Sequence, residues 1–264
     1  MIRELRFALY AIKKNIQSSA ELRASFLTNI VGMGINNTAF IILWGFFVKS
    51  VGVIGGWTVA DIIGLQGFVA LCFGIVFSAG AGIRRLAEYV STGVFDRFML
   101  APKSLLVRVA TSSFGVSALG DIVFGIVCLG IYAALIHADM YQLLLMIPLI
   151  LVSSIVFFSA AVTVYSVSFL FSDANSVANS LFELFMTPAM FHGGAFQGAM
   201  RFFFTFMIPS LLVGSLPIEI VRDISLGKFA VVTALASFWF VFSIWLFNRA
   251  VRKYESSNFM TFGV

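Results

Sequence analysis

Charge is what this sequence has least of. Only 11% of its residues are Asp, Glu, Lys or Arg, while 60% are hydrophobic; a soluble domain is typically about 25% charged and about 45–50% apolar. So few charges cannot coat a water-facing surface, which excludes a soluble globular domain. Cysteine and histidine are scarce too, at two each. Cys72 and Cys128 lie inside long apolar runs and read as small core hydrophobes, so neither a disulfide nor a metal framework is expected. His137 and His192 are far apart and lack ligand spacing. The net charge of +5 comes from basic residues scattered between apolar runs. A nucleic-acid surface would gather them into a patch with interleaved aromatics, so that function class is set aside.

Catalytic signatures are missing as well. The nearest fragment to a phosphate-cradling loop, Leu226-Gly227-Lys228, has neither a Gly-rich approach nor a following hydroxyl. There is no HExxH, GxSxG or Cys/His cluster. The chain is therefore not expected to be an enzyme, nor to hold a metal or cofactor of its own.

What the sequence has is long apolar runs rich in phenylalanine, 31 of them in 264 residues. A bilayer core needs about 20 mostly apolar residues per helix. Six runs qualify: 25–48, 62–83, 106–136, 142–171, 176–196 and 229–248. The third and fourth are overlong and predict tilting or extension past the membrane. With no β-barrel alternation, and no water in lipid to satisfy free backbone groups, the runs must be helices. The fold expected is an all-α integral membrane protein, one transmembrane domain over 1–264.

Residues 1–24 do not read as a signal peptide, because the charged stretch is long and no small-residue cleavage site follows a short apolar core. Ile2, Leu5, Leu9, Ile12 and Ile16 fall on one stripe of a helix, with Arg3, Arg6, Lys13, Lys14 and Gln17 off it. That pattern suits an amphipathic helix lying in the membrane interface; a solvated helical arm is the alternative. Residues 198–217 are apolar enough for a further span, but Pro188, Gly193, Gly194, Gly198, Pro209 and Pro217 punctuate the region.

Charge counting decides between the two maps. With six spans and the N-terminus inside, the inner segments hold thirteen basic residues: Arg3, Arg6, Lys13, Lys14, Arg23, Arg84, Arg85, Arg97, Lys103, Arg108, Arg249, Arg252 and Lys253. The outer segments hold four: Lys49, Arg201, Arg222 and Lys228. This is the asymmetry of the positive-inside rule, and a seventh span would invert the C-terminal charges. Residues 198–217 are accordingly expected as a re-entrant or interfacial hairpin on the outer side, with both chain ends in the cytosol. The largest inner loop, 84–105, has helical spacing at Leu86, Tyr89 and Val90 and then a break at Gly93. It is either an element that transmits force from a soluble partner or an ordinary basic topology loop.

Polar residues recur at helical spacing inside the apolar runs. Ser25, Asn29, Gly32 and Asn36 share a face of the first run, Ser176, Ser180, Glu183 and Thr187 a face of the fifth. Ala110, Ser113, Ser117 and Asp121 form a small-residue stripe on the third. Such stripes line a translocation path or a subunit interface, or they are the small and polar contacts by which membrane helices pack. Glu183 and Asp121 are ionisable groups well inside apolar runs, where a charge needs a partner or a water-filled face. Each is a proton or cation site, a substrate contact, or a carboxyl bonded to a neighbouring helix.

Several short motifs join these features. Arg23, Ser25 and Phe26 open the first run, and Gly56-Trp57-Thr58 precedes the second. The stretch Thr92-Gly93-Val94-Phe95-Asp96-Arg97-Phe98-Met99-Leu100-Ala101-Pro102 follows a G-x-x-D-x-x-L-x-x-P pattern, with Met99 where Leu is commoner. Phe204-Thr205-Phe206-Met207-Ile208-Pro209 leads to Pro217. With these motifs the chain resembles the permease subunit of a bacterial ABC-2 type transporter, over nearly its whole length. The resemblance implies a cell-membrane machine, surrounded by lipid, in which two permeases pair around a path. Two cytoplasmic ATPase subunits beneath them bind ATP and Mg2+. It implies export, with coupling through the N-terminal helix and the inner loop, where Arg84, Arg85, Glu88, Asp96 and Arg97 are the candidates for ATPase contact. An ion-coupled carrier using Glu183 and Asp121, or a non-transporting membrane scaffold, would be the other kinds of protein to consider.

Overall fold

The computed structural model describes residues 2–21, 23–51, 55–100, 102–171 and 174–254. The side chains of Ile2, Arg3, Leu5 and Lys49, and Ala101 of the loop motif, lie outside this description. Every regular element among the described residues is helical. The helices are α1 (Ile2–Glu21), α2 (Arg23–Val51), α3 (Val59–Gly80), α4 (Leu86–Ser91), α5 (Phe95–Met99) and α6 (Leu105–Ala110). They continue as α7 (Ser117–Leu135), α8 (Met140–Tyr165), α9 (Ala174–Ala189), α10 (Gly198–Phe202), α11 (Ser215–Arg222) and α12 (Leu226–Val251).

Five helical segments are long and apolar enough to cross a bilayer: Arg23–Leu43, Val59–Ser91, Ser117–Leu135, Met140–Phe169 and Leu226–Val251. The fifth expected run, 176–196, is the shorter α9, whose 16 residues span about 24 Å at about 1.5 Å per residue. It stops just past Pro188, where the chain loosens into a single 3-10 turn at Gly193–Ala195.

The third run differs from expectation. Instead of one helix over 106–136, α6 ends at Ala110 and α7 begins at Ser117. The hydroxyls of Thr111 and Ser112 turn back onto the carbonyls of Val107 and Val109, at 2.8 and 2.7 Å. Side chains that compete in this way for the last carbonyls end a helix rather than extend it. The Ala110–Ser113–Ser117–Asp121 stripe is therefore not one helix face.

Glycines set the helix packing. A Cβ at Gly125 would lie 2.7 Å from Leu71 N, and one at Gly74 would lie 2.8 Å from Ala118 O. The backbones of α3 and α7 thus touch, antiparallel, as small residues permit in membranes. Against the other side of α3, Phe77, Phe157 and Phe182 meet edge to face at 5.7–6.0 Å between ring centroids, the arrangement that aromatic quadrupoles favour.

At one end of the bundle, here the lower, α3 gives way to α4, then to α5 after Gly93. That glycine has φ +72°, a left-handed turn at little cost without a Cβ. Helix α1 lies against this layer by its polar side: Ser104 N donates to Glu4 Oε2 at 3.2 Å, and Asn15 Nδ2 to Thr111 O at 2.9 Å. Leu9 and Ile16 of its apolar stripe stay exposed.

At the upper end Thr58 caps α3 in a reciprocal box with Asp61, so the Trp57-Thr58 pair marks a helix start, with the Trp57 ring buried. Between α10 and α11 the chain forms a π-helical turn, Phe203–Met207, and then an irregular segment. Leu211, Leu212 and Val213 in that segment are only 1%, 0% and 0% exposed, and Ser153 Oγ, midway along α8, donates to Leu212 O at 3.2 Å.

Candidate functional site

The two polar stripes lie on the outside of the chain. Ser25, Asn29, Gly32 and Asn36 on α2 are all exposed, as are Ser176, Ser180, Glu183 and Thr187 on α9. Asn29 bonds only to its own helix, Nδ2 donating to Ser25 O at 2.7 Å, and Asn36 finds only Met33 and Asn37. Glu183 has no hydrogen bond or ion pair among the described residues. In helices otherwise faced with Leu, Ile and Phe, the side chains of these groups meet no hydrogen-bond partner on another helix among the described residues.

Between the stripes lies a cavity of about 200 Å3, walled by α2, α3, α7 and α9. Asp121 forms part of its wall, with Gln66, Asn36 and Asn37. Asn37 Nδ2 donates to Asp121 Oδ1 at 2.6 Å, and Gln66 Nε2 donates to Met190 O at 2.9 Å. The partner of Asp121 is thus Asn37, not the stripe residue Asn36. Neighbours on a helix point about 100° apart, and only the depth at which α2 crosses α7 selects between them. Asp121 Oδ2 is buried without a hydrogen-bond partner among the described residues. Asp121 and Asn36 therefore share one cavity, whereas Ser180, Glu183 and Thr187 sit on the open face of α9 and not in its lining.

The candidates in the 84–105 segment divide by surroundings. Arg85 forms a bidentate pair with Glu88, at 2.9 and 2.8 Å, with both side chains about half exposed. The Arg84 guanidinium turns back over the aromatic layer, 5.2 Å from the Phe77 ring centroid and 5.8 Å from those of Phe73 and Phe182, a cation–π arrangement. Asp96 faces the C-terminal end of the chain, where burial and the nearby Asp96 carboxylate push the Tyr254 hydroxyl up to about 12. The Tyr254 ring packs on Phe95 at 4.9 Å. Arg97 is exposed beside the exposed Met99 and Leu100.

Sequence reasoning missed the residue that fixes this segment. Arg108, counted above only as an inner charge, donates from Nη2 to Arg97 O at 3.1 Å and from Nη1 to Phe98 O. It satisfies the carbonyls at the end of α5, a role suited to a cation at a helix C-terminus. Arg108→Ala should lose two charge-assisted bonds, destabilising the segment by about 1–2 kcal/mol. Limited trypsin digestion is the check: cleavage after Arg97 should accelerate, and an unchanged rate would show the clamp to be idle. At the upper end two further pairs were unforeseen. Arg201 on α10 holds Glu219 on α11 at 2.9 and 2.7 Å, and Arg222 lies 3.6 Å from Asp61.

Among the described residues no group of His, Cys, Asp and Glu is placed to hold a metal ion. The family described as ABC-2 family transporter protein matches residues 34–258. No curated protein and no solved structure matches the chain. The match spans most of the sequence, including the five bilayer-length helices in whole or in part. The chain is an α-helical membrane protein and belongs to the ABC-2 transporter permeases.

Proposed function

We propose that this chain is the membrane half of an ATP-driven exporter, in which two permeases pair across the α2 and α9 faces and a path runs between them. The observation that carries the reading is the exposure of both polar stripes, with the Asp121 cavity set between them. Polar groups facing hydrocarbon are costly, so such faces belong against protein or water. A second permease, the same chain or a related one, supplies both.

In this reading the lower end faces the cytosol, as its basic residues favour. Helix α9 with the 190–197 segment forms the fifth of six crossings, and both chain ends lie inside. Residues 198–217 form an outer re-entrant hairpin. Its buried Leu211–Val213 backbone and the Ser153 bond support this, because irregular backbone at membrane depth is tolerated only when protein covers it. The lower layer receives the ATPase. The exposed Arg97, the Arg85–Glu88 pair and the apolar Met99 and Leu100 are its docking residues, while Arg84 and Asp96 act through contacts within the chain. Helix α1, tied to the layer through Glu4 and Asn15, moves with it. ATP and Mg2+ are bound by the partner subunit, because this chain offers no phosphate cradle. The direction, export, follows the usual direction of the family.

The test is purification of the complex. The full chain, expressed with a P-loop ATPase encoded beside it, should co-purify with that ATPase and move solute only with ATP. Purification alone, with transport driven by an ion gradient, would replace this reading by an ion-coupled carrier. Within the complex, Glu183→Ala should lower transport about tenfold, the worth of one lost polar contact, while leaving ATPase co-purification intact. Normal transport by an assembled variant would make Glu183 a packing residue.

A further inference from the structure

We propose that the Asp121 cavity binds a lipophilic organic cation, an onium or amine carried on an apolar body, and that this is the class of substrate admitted. The inference rests on reading the α2 and α9 face as the path. Asp121 is 5% exposed. One carboxylate oxygen is held by Asn37, and the other is buried without a partner among the described residues, on a side chain that belongs to the cavity wall. An unsatisfied buried acceptor is costly, and most of all a charged one; a cationic head set beside it would compensate the charge. Among the described residues no other acidic or basic side chain lines the cavity.

The remaining lining fits the same chemistry. Phe73 and Phe124 contribute two aromatic rings, whose negative faces attract onium groups. Met33, Met186 and Met190 contribute polarisable, adaptable thioethers. Such a lining takes apolar bodies of varied shape, while the single carboxylate demands positive charge. A volume of about 200 Å3 is small beside the usual ~300–1,000 Å3 of pockets that enclose a whole ligand. It accommodates the head, and the body extends into the open face between the stripes. Arg84 stands outside the lining, touching it through the Phe73 ring toward the lower end. Arg85 and Glu88, the neighbouring charges of the lower layer, satisfy each other.

Equilibrium binding of radiolabelled benzyltrimethylammonium to the full chain in lipid nanodiscs tests this, because the probe's charge is permanent and does not depend on proton exchange. The wild-type protein should bind it saturably. Asp121→Asn, which keeps the shape and an oxygen for Asn37, should weaken binding about 10- to 100-fold. Phe124→Leu, leaving the carboxylate in place, should weaken it about threefold or more. Asp223→Asn, an exposed carboxylate at the upper end, should bind as wild type. The neutral isostere neopentylbenzene should not distinguish wild type from Asp121→Asn. Equal binding by wild type and both cavity variants, no saturable binding at all, or displacement by excess Na+ would overturn the proposal. The two readings fail separately. A chain that binds the onium but recruits no ATPase refutes the exporter. A chain that recruits the ATPase without Asp121-dependent binding refutes the cation site.

Discussion

Replacing Gly82 with alanine is expected to lower the unfolding temperature sharply, whereas Gly80→Ala, two residues earlier, should leave it near wild type. The difference is geometric. A Cβ at Gly82 would lie 1.9 Å from Val109 O and 2.2 Å from Ser112 Oγ, while one at Gly80 meets only the tip of Ile83 at 3.9 Å. The neighbours of Gly82 cannot simply swing away. The Val109 carbonyl already accepts from Ser112 N at 3.2 Å and from Ser112 Oγ at 2.7 Å, and the Ser112 hydroxyl also meets Tyr89 Oη at 3.0 Å. A methyl group there must displace the turn that ends α6 and the anchor of α4 together. Overpacking of this kind costs about 1–3 kcal/mol, sometimes more, and a clash with backbone belongs at the upper end, about 3 kcal/mol. Thermal unfolding of both variants in detergent decides the matter. If Gly82→Ala melts with Gly80→Ala, the close approach of the α3 end to α6 does not exist as described. Because this joint ties the 84–105 segment to the membrane helices, the same variant should also recover less ATPase on co-purification.

How much of this was legible in the sequence depended on the range of the interaction. Bilayer-length helices announce themselves through composition alone, and 62–83, 142–171 and 229–248 reappear in α3, α8 and α12 with modest shifts at their ends. The turn at Gly93 was equally legible, because a glycine between two short apolar patterns has few other uses. The break at 111–116 was not. Ser113 and Ser117 read as part of one polar face until the hydroxyls of Thr111 and Ser112 are seen to bond backward. The choice of Asn37 over Asn36 as the partner of Asp121, the clamp of Arg108 on α5, and the Arg201–Glu219 and Arg222–Asp61 pairs all join distant parts of the chain. Local periodicity carries no information about which charged residue another helix will meet. The exposed stripes on α2 and α9 fall between these cases. Their composition was visible, but that no other part of the described chain covers them was not.

The Arg201–Glu219 pair offers the second large effect. Arg201→Ala should destabilise the protein by about 2–3 kcal/mol, and pairing it with Glu219→Gln should recover most of that loss. The Glu219 side chain is 9% exposed and Arg201 is 39% exposed, so the pair is buried on its acidic side and open on its basic side. Removing the arginine strands a carboxylate packed against the Gly193 backbone, where an added Cβ would lie 2.7 Å from Glu219 Oε1. A fully buried pair broken in this way costs about 3–5 kcal/mol; solvent on the arginine side lowers the figure here, as screening does for exposed pairs. Removing both charges leaves no stranded ion, which is why the double variant should regain stability although it has lost the bond. The pair joins α10 to α11, and Arg222 in turn joins α11 to the start of α3 through Asp61. The upper-end segment is thereby braced within itself by the first pair and latched by the second to the helix that walls the Asp121 cavity. Unfolding temperatures of the wild type, both single variants and the double give the coupling energy directly. A loss below about 0.5 kcal/mol in Arg201→Ala would make the contact an ordinary surface ion pair, and the upper-end segment would then have to be held by its apolar residues alone.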